Sequence, residues 1–407
     1  MSREKTIAII GGGAAGFFGA ISAAEAFPEA RVVLFEKSRN VLSKVRISGG
    51  GRCNVTNAAA TIPDLLKGYP RGAKLLKNLF PRFSNQHTIE WFQSRGVPLK
   101  TEPDGRMFPA SDYSETIVRC LQLQAKNAGV ELHLSTAIKA IQKTEEGFRL
   151  TLNEGQIFQA DRVLVTTGGH PQITGYDWLS ELGIAITPPV PSLFTFNLPD
   201  SFTRDLSGIS VNEALVRISS TKFQHEGPVL LTHWGLSGPA VLKLSAWAAR
   251  ELEENNYRFT CLVNWTNQKS EDARTALEAF KKLNSAKQLG TVAPFQIPNR
   301  LWRTLLAEVE ISEQLRWVDL NGKLFNRLFE MLTNNAFEVQ GKTTFKEEFV
   351  TCGGVTLSEI NAKTLESKIV PGLFFAGEIL DIDGITGGYN FQAAWTTAWI
   401  AGQSIGL

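Results

Sequence analysis

The stretch TIAIIGGGAAGFFGAISAAEAFPEARVVLFEK, Thr6–Lys37, decides the fold. Thr6–Ile10 is a short unbroken apolar run, the pattern of a strand buried on both faces of a parallel sheet. Gly11, Gly13 and Gly16 then space out as G-x-G-x-x-G and open an alanine-rich helix from about Ala14 to Phe27. Arg31–Phe35 is a second apolar strand, and Glu36 stands at its end, twenty positions after Gly16. A glycine triplet alone is a weak signal. Placed between strand and helix, with an acid closing the next strand, it specifies a dinucleotide-binding βαβ unit and a doubly wound α/β sheet. Gly11 permits the tight turn, Gly13 lets backbone approach a pyrophosphate, and Gly16 allows close helix–sheet packing. The helix start offers unpaired N–H groups and a positive dipole end to phosphate, and Glu36 can accept from ribose hydroxyls.

A second glycine constellation stands at the far end of the chain. An apolar strand, Gly372–Ala376, leads into Gly377-Glu378, then Asp381, Asp383 and Gly384, then Gly387-Gly388-Tyr389-Asn390 and another alanine-rich helix. A dehydrogenase built around NAD needs no such element after its substrate domain. Two helix N-termini suit one elongated ligand such as FAD, one end serving the pyrophosphate and the other stabilising negative charge on the reduced ring. Between them, Ser48–Asn54 reads Ser-Gly-Gly-Gly-Arg-Cys-Asn. Three consecutive glycines let backbone N–H groups line a flat or anionic ligand, and Arg46 and Arg52 flank the run. Cys53 has no partner cysteine nearby to make a redox pair.

Composition bounds the rest. The 407 residues are 43% hydrophobic and 20% charged with a net charge of +2, ordinary values for two or three globular domains. Such a balance gives no overall pull toward nucleic acid or membrane. Cys53, Cys120, Cys261 and Cys352 are scattered and suit neither a zinc site nor a disulfide framework, so no metal is expected. The first apolar run is too short for a signal peptide, and no run reaches the length of a membrane span. Cytoplasmic residence is the default expectation, and the oligomeric state is left open. Asp112 with Glu115 suggests a capping box for a helix ending at Asn127, Thr187–Ser192 (TPPVPS) a crossover linker, and Pro239–Glu251 one helical stretch. The texture changes near 192 and resumes near 346. Residues 1–191 and 346–407 are therefore expected to form one discontinuous domain, and 192–345 an inserted one, strand-rich over about 192–268 and helical over about 269–345.

The chain resembles a family of FAD-dependent flavoproteins that includes bile-acid-pathway enone reductases, aminoacetone oxidase and an enzyme forming dihydrouridine in ribosomal RNA. The resemblance rests on Ala8–Gly16, KVRISGGGRCNVTN (Lys44–Asn57), GRMFPAS (Gly105–Ser111), LLTHWGLSGPAVL (Leu230–Leu242) and AGEILDIDGITGGYNFQAAW (Ala376–Trp395). It implies a Rossmann-like FAD-binding domain of the two-dinucleotide-domain, glutathione-reductase-like type, interrupted by a β-barrel and helical insert. Carried over residue by residue, it implies cofactor contacts at Gly11, Gly13, Ala14, Ala15, Gly16, Glu36, Lys37, Arg46, Ser48, Gly49, Gly50, Gly51, Gly168, Glu378, Asp383, Gly388, Tyr389 and Asn390. Leu42-Ser43 departs from the family's Gly-Arg, so no contact is assigned to Leu42. Cys352 stands where a small residue is usual and reads as core.

The expected reaction is hydride transfer through FAD, with NAD(P)H as a transient reductant, to a polarised C=C bond in a small molecule or in uridine of ribosomal RNA. An oxygen-using amine oxidase and a non-catalytic flavin-binding protein are the alternatives. Tyr389 and His233 are the candidates for the proton donor that saturation needs. Between Lys37 and Arg106 there are thirteen Lys/Arg against four Asp/Glu. Tyr69, Phe80 and Phe83 interleave with Lys67, Arg71, Lys74, Lys77 and Arg82, which suits either a nucleic-acid backbone or an ordinary solvated face.

Overall fold

The computed structural model describes residues 5–153, 155–199, 201–343 and 350–407. They divide into two compact units, one running to Ser192 and resuming at Val350, the other beginning at Leu193. The expected seam at 345/346 lies outside the described residues.

In the first unit the apolar runs make a five-stranded parallel sheet in the order Leu373–Phe375, Arg162–Val165, Thr6–Ile10, Arg31–Phe35, Glu131–His133. Ile9 sits in register with both Leu164 and Leu34. Ile7, Ala8 and Ile9 are wholly buried, as the unbroken apolar pattern requires. The helix Ala14–Ala26 covers the sheet and is itself covered by the C-terminal helix Tyr389–Ser404. Small residues set that approach. A Cβ on Gly402 would lie 2.6 Å from the Ser22 Cβ, and one on Gly19 would lie 2.7 Å from Leu164. The two ends of the chain thus share one core.

Two local expectations change in this unit. Thr187–Ser192 is not a linker: Ile186–Ser192 is a strand pairing antiparallel with Val350–Val355. Its register shifts between Thr187 and Val190, so Pro188 and Pro189 fall in a bulge, where the ladder asks them for no N–H. The helix Glu115–Asn127 is preceded by Ser114, not capped by Asp112. Asp112 has φ +54 and its carboxylate binds Lys100.

In the second unit antiparallel strands run in the order Asn335–Gln340, Arg258–Asn264, Ser210–Ile218, Gln224–Thr232, Gly235–Ser237, Thr195–Asn197, Lys342–Thr343. Only Gly341 separates the last strand from the first. Its N–H donates to the Tyr257 carbonyl (2.9 Å) and its carbonyl accepts from Asn197 N–H (3.0 Å), which closes the sheet into a barrel. The helices Ser270–Leu283, Asn299–Glu308 and Gly322–Thr333 carry a second core, in which Trp302 and Trp317 stack at 6.0 Å. The stretch expected as one helix over Pro239–Glu251 is two, Pro239–Trp247 and Ala249–Glu254, broken at Ala248.

Candidate functional site

The glycines of the first turn separate by cause. A Cβ on Gly16 would stand 1.8 Å from the Gly11 carbonyl oxygen, and one on Gly11 (φ +110) 2.7 Å from the Thr166 carbonyl oxygen. Those two glycines are demanded by the protein's own packing. Gly13 is different: its φ is −89°, and a Cβ there meets nothing within 4 Å. Beside it the first intrahelical bond runs from Phe17 N–H to the Gly13 carbonyl, so the N–H groups of Ala14, Ala15 and Gly16 precede any helical acceptor. Glu36 braces the turn. One carboxylate oxygen accepts from Gly12 N–H (2.7 Å) and the other from the N–H and hydroxyl of Ser38 (2.8 Å each). Lys37 is exposed.

Leu42 N–H donates to the Gly12 carbonyl (2.9 Å) and ties the turn to the glycine run. The Leu42 side chain is core. A helix begun at Ser43 breaks at Ser48 (ψ +148), after which Gly49, Gly50 and Gly51 have φ of +59, +68 and +82. A Cβ on Gly49 would press on Phe108 at 2.9 Å, whereas one on Gly50 or Gly51 would meet nothing. Three successive residues hold positive φ, a run that glycine alone adopts readily. The side chains nearby are committed elsewhere: Arg46 to Glu115 (3.0 Å) and the Val41 carbonyl, Ser48 to the Val45 carbonyl, Arg52 to Glu102 (2.6 Å). Any contact from Ser48 to Gly51 is therefore made mainly by backbone.

The C-terminal element meets this frame. Gly377 (φ +78) has room for no side chain, since its Cβ would lie 2.8 Å from that of Ala15. Glu378 accepts from Lys44 Nζ (2.7 Å) and from Thr351 N–H (3.0 Å), with Gly168 (φ +76) alongside. Gly388 caps the last helix at φ +91, and its N–H is accepted by the Asn54 amide oxygen at 2.9 Å in the orientation that satisfies both ends of that amide. Asn390 forms a two-bond ring with the main chain of Gly384 (2.8 and 2.9 Å).

A segment from Gly68 to Gly72 braces the same turn. Ile385 N–H donates to the Gly68 carbonyl, and Tyr69 OH to the Tyr389 carbonyl (2.7 Å). A Cβ on Gly68 would enter the Tyr389 ring at 2.2 Å. Asp383, fully buried, is held by both guanidinium arms of Arg71 and by the Ser192 hydroxyl (2.7 Å). Burial pushes its carboxyl up and Arg71 pulls it back. Both oxygens are engaged, and the Asp383 main chain also bridges antiparallel to that of Arg71. Burial also raises the Tyr389 phenol, which keeps it protonated.

His233 is exposed at the tip between two barrel strands of the second unit, its ring edge-on to Trp234 at 4.2 Å. Cys53 and Cys352 are buried, and desolvation lifts the Cys53 thiol to about 12. Tyr69, Phe80 and Phe83 are 1%, 0% and 4% exposed, so none can stack on a base. Lys44, Arg46, Arg52, Lys67, Arg71, Arg95, Lys100 and Arg106 all have carboxylate partners, several contributed from outside the stretch. Among the described residues no three His, Cys, Asp or Glu gather to hold a metal, and no helix is long and apolar enough to cross a membrane. The sequence reading missed Asn54, Lys44, Arg71 and Gly377. Asn54 and Lys44 lie inside the glycine-run motif and Gly377 inside the C-terminal constellation already quoted, each without a role assigned; Arg71 stood only in the basic run.

The HI0933-like protein Rossmann domain family matches residues 5–404. The chain belongs to that family. It is 30% identical over its whole length to the ribosomal RNA dihydrouridine synthase of Escherichia coli, covering 98% of that protein. It is 27% identical to the 3-dehydro-bile acid delta(4,6)-reductase of Clostridium scindens, over 98% of each. Among solved structures, 3-ketosteroid delta1-dehydrogenase from Sterolibacterium denitrificans superposes with a TM-score of 0.51 at 12% identity, over 98% of this chain and 99% of that one, a likeness of fold alone. This HI0933-like chain is thus an FAD-dependent oxidoreductase with a Rossmann-like FAD-binding fold.

Proposed function

We propose that the chain reduces a carbon–carbon double bond conjugated to a carbonyl, with NAD(P)H as electron source and uridine of ribosomal RNA as substrate. The substrate rests on the 30% identity to the ribosomal RNA dihydrouridine synthase over the whole chain, and the observation that carries the cofactor is the set of backbone positions at Gly13, Gly50 and Gly51. Each is a glycine whose Cβ would meet no protein atom, and each stands beside N–H groups left for an anion. That donor set fits FAD. Gly13, Ala14, Ala15 and Gly16 would take the pyrophosphate, Glu36 a ribose, and the Gly49–Gly51 run with the Gly388 helix end the ring system. Bound there, FAD supplies hydride transfer.

The chain's own residues supply the rest. The start of the helix Tyr389–Ser404 presents a positive dipole end, held in place by the Asn54, Asn390 and Asp383 contacts. Tyr389 keeps its proton, because burial disfavours the phenolate, and can hand it to the carbon that receives no hydride. The bile-acid reductase and the dihydrouridine synthase are named for the same bond change: a C=C beside a carbonyl becomes saturated. A second reading, a small enone as substrate, is favoured by the bile-acid reductase likeness over 98% of both chains.

Two measurements test this. Anaerobic NADPH should bleach the yellow protein, and deleting the gene should remove one dihydrouridine from ribosomal RNA. A yellow protein that NADPH leaves unchanged overturns reduction by NADPH. Bleaching with an intact dihydrouridine profile transfers the substrate to the enone class.

A further inference from the structure

We propose that Lys74, Lys77, Arg82 and Lys363 form a phosphate track that seats the RNA strand. The inference rests on ribosomal RNA being the substrate. It begins from the charges left over. Of the thirteen Lys/Arg between Lys37 and Arg106, the eight ion-paired residues are spent, leaving Lys37, Arg39, Lys74, Lys77 and Arg82 without a carboxylate partner among the described residues. Three of the five cluster within 74–82.

Their placement is built by the fold. The helix Ala73–Leu79 buries Leu75, Leu76 and Leu79, which turns Lys74 and Lys77, one turn apart, to solvent. It starts against the flavin-side turn, because a Cβ on Gly72 would lie 2.6 Å from Ile382. It then runs beside the C-terminal helix, to which the Phe83 carbonyl is tied by the Thr396 hydroxyl (2.9 Å). Arg82 lies 6.0 Å over Trp399 and donates to the Lys363 carbonyl, which brings Lys363 to the same edge. From Tyr389 to Trp399 the helix rises by about 15 Å, at roughly 1.5 Å per residue. Lys74 and Lys77 are thus exposed on a helix packed beside the C-terminal one, while Arg82 and the Lys363 main chain lie at its Trp399 end.

The aromatic residues of this stretch are core, so the track holds phosphates and reads no bases. It fixes where the strand lies, and recognition of the uridine is left to the site. Binding through it is electrostatic, and it weakens steeply with salt. On a single strand each phosphate contact contributes about 0.7 to the slope of log K against log[salt], so four contribute about 3.

The test compares the FAD-loaded wild type with the variant K74Q/K77Q/R82Q/K363Q. The probe is a labelled, protein-free ribosomal RNA fragment, titrated from 50 to 200 mM KCl. The expected result is a slope shallower by about 3 in the variant, with flavin content and rate of NADPH bleaching unchanged. The control variant R39Q should keep the wild-type slope. A quadruple variant with the wild-type slope overturns the track while leaving the RNA substrate in place. A wild type that binds the fragment without salt dependence, and reduces a small enone instead, overturns the RNA reading and the track with it.

Discussion

Replacing Gly13 by Ala should separate folding from cofactor binding within one motif. In most G-x-G-x-x-G turns the glycines are spoken of together, yet here they answer to different neighbours. A Cβ at position 13 meets no atom within 4 Å, and φ −89° is open to any residue. The apoprotein should therefore lose nothing and gain about 0.4–1 kcal/mol, because alanine has fewer unfolded conformations to give up. The same Cβ projects toward the space the pyrophosphate must enter to reach the N–H groups of Ala14 and Ala15. Displacing the phosphate from two charge-assisted hydrogen bonds, at roughly 1.5 kcal/mol each, costs about 3 kcal/mol of binding. That is roughly a hundredfold in the dissociation constant of FAD. Gly16→Ala is the counter-case: its Cβ would sit 1.8 Å from a backbone oxygen, so the protein should fail to fold or melt far lower. Thermal melts of the apoproteins and flavin-fluorescence titrations make the comparison. If Gly13→Ala melts lower than wild type, or binds FAD as tightly, then the open position is not the cofactor's and the reasoning is wrong.

Further outcomes follow from the buried groups. Asp383→Asn should cost about 3–5 kcal/mol of stability by removing the buried carboxylate charge that both guanidinium arms of Arg71 bind, and joint replacement of both by Leu and Met should cost less than the single change; chemical denaturation of the apoprotein decides. Cys53, lifted to about 12, and Cys120, to about 11, should resist iodoacetamide at pH 8 until denaturant is added, as read by mass spectrometry. Their folded thiols titrate above the unfolded value of 9.0, so this contribution to stability is intact below pH 9 and declines as pH rises toward 12, as alkaline melts would reveal. Tyr389→Phe should slow substrate reduction while leaving flavin bleaching by NADPH intact, and wild-type turnover should show no loss from phenol ionisation below about pH 10; equal slowing of both half-reactions would remove Tyr389 as proton donor.

What could be read from the chain was what is written locally. Thr6–Ile10, the glycine turn and Glu36 lie within one window, and their periods and spacings are set by the βαβ unit itself. The same holds for the strand, acidic turn and helix after Gly372. What escaped depends on partners far along the chain. Asp383 and Glu378 look alike in sequence, two acids in a turn. Yet one is sealed by Arg71, 312 positions away, and the other stays part-exposed beside Lys44, 334 positions away. A count of charges over Lys37–Arg106 could not include Glu115, Asp383 or Glu378, which neutralise much of it. Tyr69, Phe80 and Phe83 recur at spacings that pattern alone gives equally to a stacking surface or a core. The prolines of TPPVPS read as a linker because a bulge that excuses them cannot be seen until Val350–Val355 is laid alongside.

The left-handed glycines on that partner strand show how such a distant requirement is met. A Cβ on Gly353 would stand 2.5 Å from the Pro188 carbonyl oxygen, and one on Gly354 2.4 Å from that of Ile379. The strand Val350–Val355 is thus pressed between the proline bulge on one side and the acidic turn on the other, with no side chain between. Thr351 N–H, on that strand, is what Glu378 accepts from. The bulge therefore sets how deeply the strand can lie, and the strand sets where the Glu378 carboxylate points. A sequence feature that looks like a break in the fold is, through two glycines and one backbone bond, part of what holds the Glu378 carboxylate beside Lys44.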